Sequence, residues 1–552
     1  MLGQRGRPAG SWDLAVQGTG TWQSKGLGPG SPRDWSAFGG ICSGVGRLRP
    51  VLEPAPLWQH GRAMDASSLP VAPPPAALSA DAIGLPPLPR RVFCNRTLNL
   101  RSVQVVGCDM DYTLVHYDSE RWERSAYEHM KRAFQARGWP VNELRFDPEL
   151  ASLGLVIDIE RGNLVKANRF GHVRNASHGT IVLSFDTWLS VYGTAPVDLA
   201  ESRWQFMNTL FSLSEACLYM QLVDLLDLGK LEPGLSYRAL YQEVRRVLDA
   251  THLEGTLKNE ILSDPSHYVI LDEELPHALW ELKAAGKKLL LITNSEWSYT
   301  QKMMSYAFDR FLPNGNWREL FSFVIVQARK PEFFSQRAPV FRLVDEPSRY
   351  TPHIGPLVEG EVYLGGDARL VESSLKVEPD HILYIGDHIF ADVHVSKDLL
   401  RWRTALVVRE LERELEALAA FRPAQAQLDV AMTEKVLLEH QLSGLRLTHL
   451  RNTRQPPSSF DIDRSNAEIR ALRGRLVELD QRIAPLARQS SELLNVRWGP
   501  IMRCGSDKSH LARQIERYAD LYMSRVSNLL AYTPFAYLRA PRVSLPHEID
   551  LE

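Results

Sequence analysis

Four short apolar runs in this chain each end on residues that can handle a phosphate group. Val103–Cys108 runs into Asp109-Met110-Asp111-Tyr112-Thr113. Lys288–Ile292 runs into Thr293-Asn294-Ser295, and Phe323–Val326 into Gln327-Ala328-Arg329-Lys330-Pro331. Ile382–Ile385 runs into Gly386-Asp387-His388-Ile389-Phe390-Ala391-Asp392. Four carboxylates on one rim repel one another and need a cation. Oxygen donors without His or Cys favour Mg²⁺, which takes one or two carboxylates, waters and a substrate phosphate. The lysine and the hydroxyls supply donors for the other phosphate oxygens. A carboxylate so placed can attack phosphorus and form an aspartyl-phosphate. A second carboxylate two residues on can protonate the leaving oxygen and then deprotonate the attacking water, a contribution of about 10²–10⁴-fold. Alone, Asp-x-Asp and Gly-Asp read as turns, and Thr-Asn-Ser as a helix N-cap. Their order at four successive strand ends is what points to a phosphate–metal site.

The runs themselves have strand length and β-branched content, as does Ala405–Val408. Helical patterns at Leu275–Ala285 and Thr300–Phe308 lie between them. This alternation predicts an α/β fold, a parallel sheet covered on both faces, with ligands outside the carboxyl ends of its strands. Asp109 and Thr293 are 184 residues apart, whereas 37 separate Thr293 from Lys330 and 57 separate Lys330 from Asp387. A large insertion rich in helical pattern (Ser214–Leu226, Ser236–Leu248) therefore follows the first motif. Within it Arg245 and Asp249 stand four apart, the spacing of a helical ion pair. Residues 409–450 and 463–493 read as two long helices interrupted at Arg454-Gln455-Pro456-Pro457-Ser458-Ser459, hence an antiparallel hairpin. Its charged and apolar faces serve either packing within the chain or a partner surface.

Composition sets the outer bounds. The 552 residues carry 64 Lys+Arg and 66 Asp+Glu, a net charge of −2, which argues against a polybasic nucleic-acid binder. The five cysteines are scattered without a CxxC pair, which excludes a disulfide framework and a zinc knuckle. Residues 1–90 hold 27 of the 69 Gly and Pro and show no periodicity, so they read as a disordered leader. Met64 could be an alternative start within it. No apolar stretch reaches the roughly 18 residues of a membrane span. The expected location is cytoplasmic. The base-rich first 50 residues leave a mitochondrial location as the alternative.

At the four motifs the sequence resembles the haloacid dehalogenase-like phosphohydrolases. The stretches Ile292–Ser295, Ala328–Pro331 and Ile385–Phe390, with Arg517-Tyr518-Ala519-Asp520-Leu521-Tyr522, look like the cytosolic purine 5'-nucleotidase family over about residues 92–545. The resemblance implies a Rossmann-like sheet core (91–125 and 285–408), an inserted cap reading the substrate (126–284), the helical hairpin (409–495), and a C-terminal segment packing back on the core (496–552). It implies Asp109 as nucleophile and Asp111 as acid/base offering its backbone carbonyl to Mg²⁺. Asp387 would be the further metal ligand, and Asp392 would order the metal's waters and Lys330. Thr293, Asn294, Ser295 and Lys330 would hold phosphate. In the insertion Phe211, Arg245, Asp249, His252 and Lys258 match positions that read the substrate. Leu253 and Glu254 depart from the family's aromatic and lysine. Asn208, Phe390, Lys397, Gln514 and Arg517 match an adenine-nucleotide effector site. The chain stops at Glu552 without the family's long acidic tail, so control by that tail is expected to be missing. The implied function is a Mg²⁺-dependent phosphohydrolase acting on nucleoside 5'-monophosphates or other phosphomonoesters, as a homo-oligomer. The alternatives are a nucleotidase-like scaffold and a nucleoside phosphotransferase.

Overall fold

Apolar side chains dominate the strands of the main sheet, and successive residues on them feed two different apolar clusters. Val106, Cys108, Leu289, Leu291, Val324, Val326, Leu383 and Ile385 point to one face. Val105, Leu290, Ile292, Phe323, Ile325, Ile382 and Tyr384 point to the other. Burial on both faces is what a parallel sheet flanked by helices requires. The computed structural model describes residues 86–209, 212–253, 255–313, 315–345, 349–455 and 461–543, without the side chains of His252 and Leu253. The expected leader lies almost wholly outside the described residues.

The main sheet has ten strands: β1 (Phe93–Cys94), β2 (Val105–Cys108), β3 (Lys288–Ile292), β4 (Phe323–Val326), β5 (Val340–Asp345), β6 (Arg349–Pro352), β7 (Val362–Gly365), β8 (Ile382–Gly386), β9 (Arg403–Val407) and β10 (Leu521–Met523). Their spatial order is β1-β10-β9-β8-β2-β3-β4-β7-β5-β6. The seven from β10 to β7 run parallel. β1 at one edge, and β5 with β6 at the other, run antiparallel. The expected α/β architecture is borne out, with the five predicted strands as β2, β3, β4, β8 and β9. The three edge strands were not anticipated.

Between β2 and β3 lie α1 (Ser119–Ala136), α2 (Leu213–Asp227), α3 (Tyr237–Leu253), α4 (Thr256–Ser263) and α5 (Glu274–Ala284). Asp118 caps α1 by accepting from the Arg121 amide. Tyr127, Met130 and Phe134 of α1 share a core with Leu218 and Leu222 of α2 and Leu240 and Val244 of α3. Leu257 and Ile261 of α4 and Leu275 and Leu279 of α5 belong instead to the core under the main sheet. The insertion also holds a five-stranded antiparallel sheet: Ile181–Val182, Val173–His178, Asn163–Ala167, Val156–Asp158 and Trp204–Phe206, in that spatial order. The helical patterns that mark the insertion gave no sign of this sheet.

β3 is followed by α6 (Trp297–Phe308), and β9 by α7 (Leu411–Arg454) and α8 (Ile462–Ser491). α7 and α8 form the expected hairpin, zipped by Leu428, Ala431 and Leu438 against Leu479 and Ile483. Pro456–Ser459 lie outside the described residues. Pro423 and Pro485, by contrast, sit inside the two helices without ending them. α9 (His510–Tyr518) precedes β10.

Candidate active site

The strand ends bring the motif residues together as follows. Asp109 leaves β2 with its amide bonded to the Ile385 carbonyl of β8 (2.9 Å), and Thr293 leaves β3 with its amide bonded to the Ile325 carbonyl of β4 (2.9 Å). Register across neighbouring parallel strands thus delivers both residues to the same edge. Lys330 arrives from the loop after β4. Its Nζ lies 2.8 Å from Asp109 Oδ1 and 2.7 Å from Asp392 Oδ1, and donates to the Tyr384 hydroxyl at 3.2 Å. Asp109, Asp387 and Asp392 each place a carboxylate oxygen within 4.8 Å of the others.

Several local features hold this geometry. Gly386 ends β8 where an added Cβ would stand 2.5 Å from the Asp392 side chain. Asp392 Oδ2 accepts from the His388 amide at 3.1 Å, and His388 Nδ1 accepts from the Ala391 amide at 2.9 Å. Asn294 accepts from the Lys330 amide through Oδ1 (2.7 Å) and donates Nδ2 to the Lys330 carbonyl (3.1 Å). Its side chain is thus turned to the lysine loop. Gln327 and Arg329 in that loop, and Tyr112 beside Asp111, have φ of 46°, 60° and 56°. Such left-handed values in non-glycine residues persist only where the surroundings enforce them.

The electrostatics are those of a crowded, dry anionic site. Burial pushes the Asp109 carboxyl up to about 7; Lys330 pulls against that and Asp392 adds to it. Burial, then Asp392 and Asp109, push Asp387 well above the usual carboxylate range. Burial works against the Lys330 ammonium, but Asp109 and Asp392 outweigh it and hold the charge firmly on the lysine. Three carboxylates against one ammonium leave an excess of negative charge that a divalent cation would relieve.

Asp111 is bonded to groups outside that triad. Its Oδ1 accepts from the Tyr117 hydroxyl and its Oδ2 from the Ser295 hydroxyl, both at 2.6 Å. Lys258 Nζ donates to the Ser295 hydroxyl (3.2 Å) and sits 4.8 Å from the centre of the Tyr299 ring. Thr293 is buried, and its hydroxyl accepts from the Ser295 amide at 3.0 Å. Thr113 donates to Asp387 Oδ1 at 3.3 Å. Thr113, Tyr117, Tyr299 and Tyr384 were not singled out in the sequence. In the fold the tyrosines are buried in the apolar clusters on the two faces of the sheet, where a tyrosine ordinarily serves as packing.

Of the substrate-reading set, Arg245 pairs with Glu215 (3.1 Å) and Asp249 (3.2 Å). Burial lowers the pKa of His388, with Asp392 pulling against it. Phe211, Glu254 and the side chains of His252 and Leu253 lie outside the described residues. Of the effector set, Lys397 is held by Asp520 (2.5 and 2.7 Å). Phe390 packs edge-on to Phe206, which also meets His510, and Gln514 lies 3.0 Å from His510. Arg517 lies over the Tyr518 ring, which is edge-on to Phe390. Asn208 is buried beside a small cavity of about 20 Å³ that Tyr112 and Asp387 also line.

The chain resembles known proteins over most of its length. Residues 92–550 match the profile of the 5' nucleotidase family. The chain is 29% identical to 5'-nucleotidase domain-containing protein 2 of Rattus norvegicus over 482 residues, 84% of this chain and 81% of that one. The Homo sapiens protein of the same name is 28% identical over 480 residues, 84% and 86% of the two chains. A 5'-nucleotidase domain-containing protein of Dictyostelium discoideum is 26% identical over 474 residues, 84% and 76%.

Proposed function

The chain belongs to the 5'-nucleotidase family, a family of phosphomonoester hydrolases, and from that premise we propose that it releases phosphate from nucleoside 5'-monophosphates, with Mg²⁺ bound, through an aspartyl-phosphate on Asp109. The observation that carries this reading is the buried Lys330 ammonium between Asp109 and Asp392, with Asp387 completing a group within 4.8 Å. An oxygen-only donor set with excess negative charge suits Mg²⁺. Asp109, Asp387 and the Asp111 backbone carbonyl would hold the ion, which when bound would neutralise phosphate oxygens.

In this reading Asp109 attacks phosphorus as the ester P–O bond breaks. Asp111 gives its proton to the departing oxygen, then takes one from the water that attacks the aspartyl-phosphate. Asp109 leaves as a carboxylate and inorganic phosphate is released. Lys330 balances the charge on Asp109 and on the phosphoryl group. Thr293 presents its hydroxyl to the phosphate, Ser295 gives its own to Asp111, and Asn294 holds the Lys330 loop in place. Residues 126–284 act as a cap over the strand ends, with Arg245 and Asp249, joined by Phe211, His252 and Lys258, reading the nucleoside.

The deciding experiment is phosphate release from a panel of nucleoside monophosphates by wild type and Asp109→Asn. Loss of the nucleophile lowers turnover by at least about 10³-fold. Chelation of divalent metal abolishes release, and added Mg²⁺ restores it. If wild type releases no more phosphate than Asp109→Asn on any substrate, the reading fails.

A further inference from the structure

One group near the site has no part in the reading above: a pair of fully buried tyrosines behind Asp111. Tyr117, 1% exposed, follows β2 by nine residues and donates to Asp111 Oδ1 at 2.6 Å. Tyr299, 0% exposed, lies on α6, 182 residues away in sequence, and its hydroxyl is 3.0 Å from that of Tyr117. A phenol has a single proton to donate. Since Tyr117 gives its proton to Asp111, Tyr299 must be the donor to Tyr117. The chain of donation therefore runs from Tyr299 to Tyr117 to Asp111. Ser295 closes the other side of the carboxyl group by donating to Oδ2 at 2.6 Å.

Each Asp111 oxygen is thus fixed by a separate hydroxyl, from the loop after β2 and from the loop after β3. Two such bonds set the plane of the carboxyl group and leave each of its oxygens one further lone pair. Tyr117 is itself held on both sides, by Tyr299 and by packing against Tyr112 and Trp122, at ring-centre distances of 5.2 and 4.5 Å. A solvated hydroxyl could not fix the carboxyl in this way, because it would exchange partners with water.

We propose that Tyr117, backed by Tyr299, is a positioning residue for the general acid: it aims the Asp111 carboxyl at the leaving oxygen. This rests on the phosphohydrolase reading. As the P–O bond breaks, Asp111 loses its proton to the departing oxygen and becomes a carboxylate that still accepts from Tyr117 and Ser295. It regains the proton from the attacking water, so neither tyrosine gains or loses one over the cycle. The need for an aimed proton depends on the leaving group. A nucleoside alkoxide leaves poorly and needs it, whereas p-nitrophenolate leaves well without it.

The test compares kcat/KM for a nucleoside 5'-monophosphate and for p-nitrophenyl phosphate in wild type, Tyr117→Phe and Tyr299→Phe. This ratio reports only the steps up to leaving-group departure. Tyr117→Phe keeps the ring and is expected to lose about 10–100-fold on the nucleotide, a part of the general-acid contribution, but less than about threefold on p-nitrophenyl phosphate. Tyr299→Phe moves both in the same sense by less. Retained turnover of the activated ester also serves as the control for folding. Equal losses on both substrates, or none on the nucleotide, overturn the assignment while leaving the hydrolase reading intact. A wild type inactive on both substrates removes the reading and the assignment together.

Discussion

At the scale of single residues, the site depends on one missing side chain as much as on those present. Gly386 leaves room for Asp392, whose Cβ, Cγ and Oδ2 would all lie 2.5 Å from an added methyl group. Gly386→Ala should push Asp392 off Lys330 with little change to β8 itself. The expected result is a fall in kcat/KM of about 10²-fold with a loss of stability of about 1–3 kcal/mol from the overlap, read by phosphate release and a thermal melt. His510 offers a test of a different kind. Burial, with Arg513 adding to it, pushes its pKa down to about 4, against about 6.5 in an unfolded chain. As pH falls below about 6.5 the unfolded state takes up a proton that the folded state refuses. Stability is therefore lost from there down to about pH 4 and levels off below. At pH 5 the loss amounts to about 2 kcal/mol relative to pH 8. Urea unfolding of His510→Gln should lose that share of the acid sensitivity and keep the rest. Asp109, Lys330 and Asp387 were legible in the sequence because each comes within four residues of the end of an apolar run. Tyr117 and Asn294 were not legible in their roles, because a side chain's hydrogen-bond partner depends on strand register and loop curvature that spacing alone does not carry.

At the scale of elements, the sheet carries the site only while its strands stay in register, and Asp520 is a main fastening. It is fully buried at the start of β10 and meets Lys397 at 2.5 Å, Arg403 of β9 at 2.8 Å and Arg96 at 3.7 Å. It also accepts from the Thr404 amide at 3.1 Å. Removing one member of a buried ion group leaves the others uncompensated, at a cost of about 3–5 kcal/mol. Asp520→Asn should destabilise by that amount in urea unfolding and should free Lys397. The parallel strands were legible because burial on both faces makes each an unbroken apolar run with a chemical residue at its end. The insertion's five-stranded sheet was not legible, for two reasons. Its strands are two to six residues long. Val173–His178 also carries Arg174, Asn175 and His178 within six residues. Asn163 and Asp158 satisfy their polar groups inside the core by bonding Tyr192, so burial there leaves no simple alternation of apolar and polar residues.

At the scale of the whole molecule, near-neutral net charge conceals a division of labour. Acidic groups gather at the strand ends, while the hairpin of α7 and α8 builds a surface of its own. Its inner seam is closed by Leu428, Ala431 and Leu438 against Leu479 and Ile483, with Lys435 paired to Asp480 at 2.6 Å. α7 is tied to the rest of the chain at its other end, where the buried Glu414 accepts from the Ile501 amide at 2.6 Å. On the outer side of α7, Val430, Val436, Leu437, Leu447 and Leu450 are between 47% and 69% exposed. None of the hairpin's seam residues belongs to the apolar clusters under the main sheet. Exposed apolar residues in such numbers on one helix suit a docking surface and add little to stability. Replacing residues 425–488 with a short Gly-Ser linker should therefore spare the catalytic half of the molecule. Phosphate release per chain is expected to stay within about twofold of wild type. If a second copy is what docks on this face, the mass in solution, read by sedimentation, is expected to fall to that of a single chain. Milder substitutions, Val436→Glu with Leu437→Glu, should produce the same change in mass with the hairpin still present. Activity lost together with the oligomer would instead make the hairpin part of the catalytic assembly, with one subunit completing its neighbour's site.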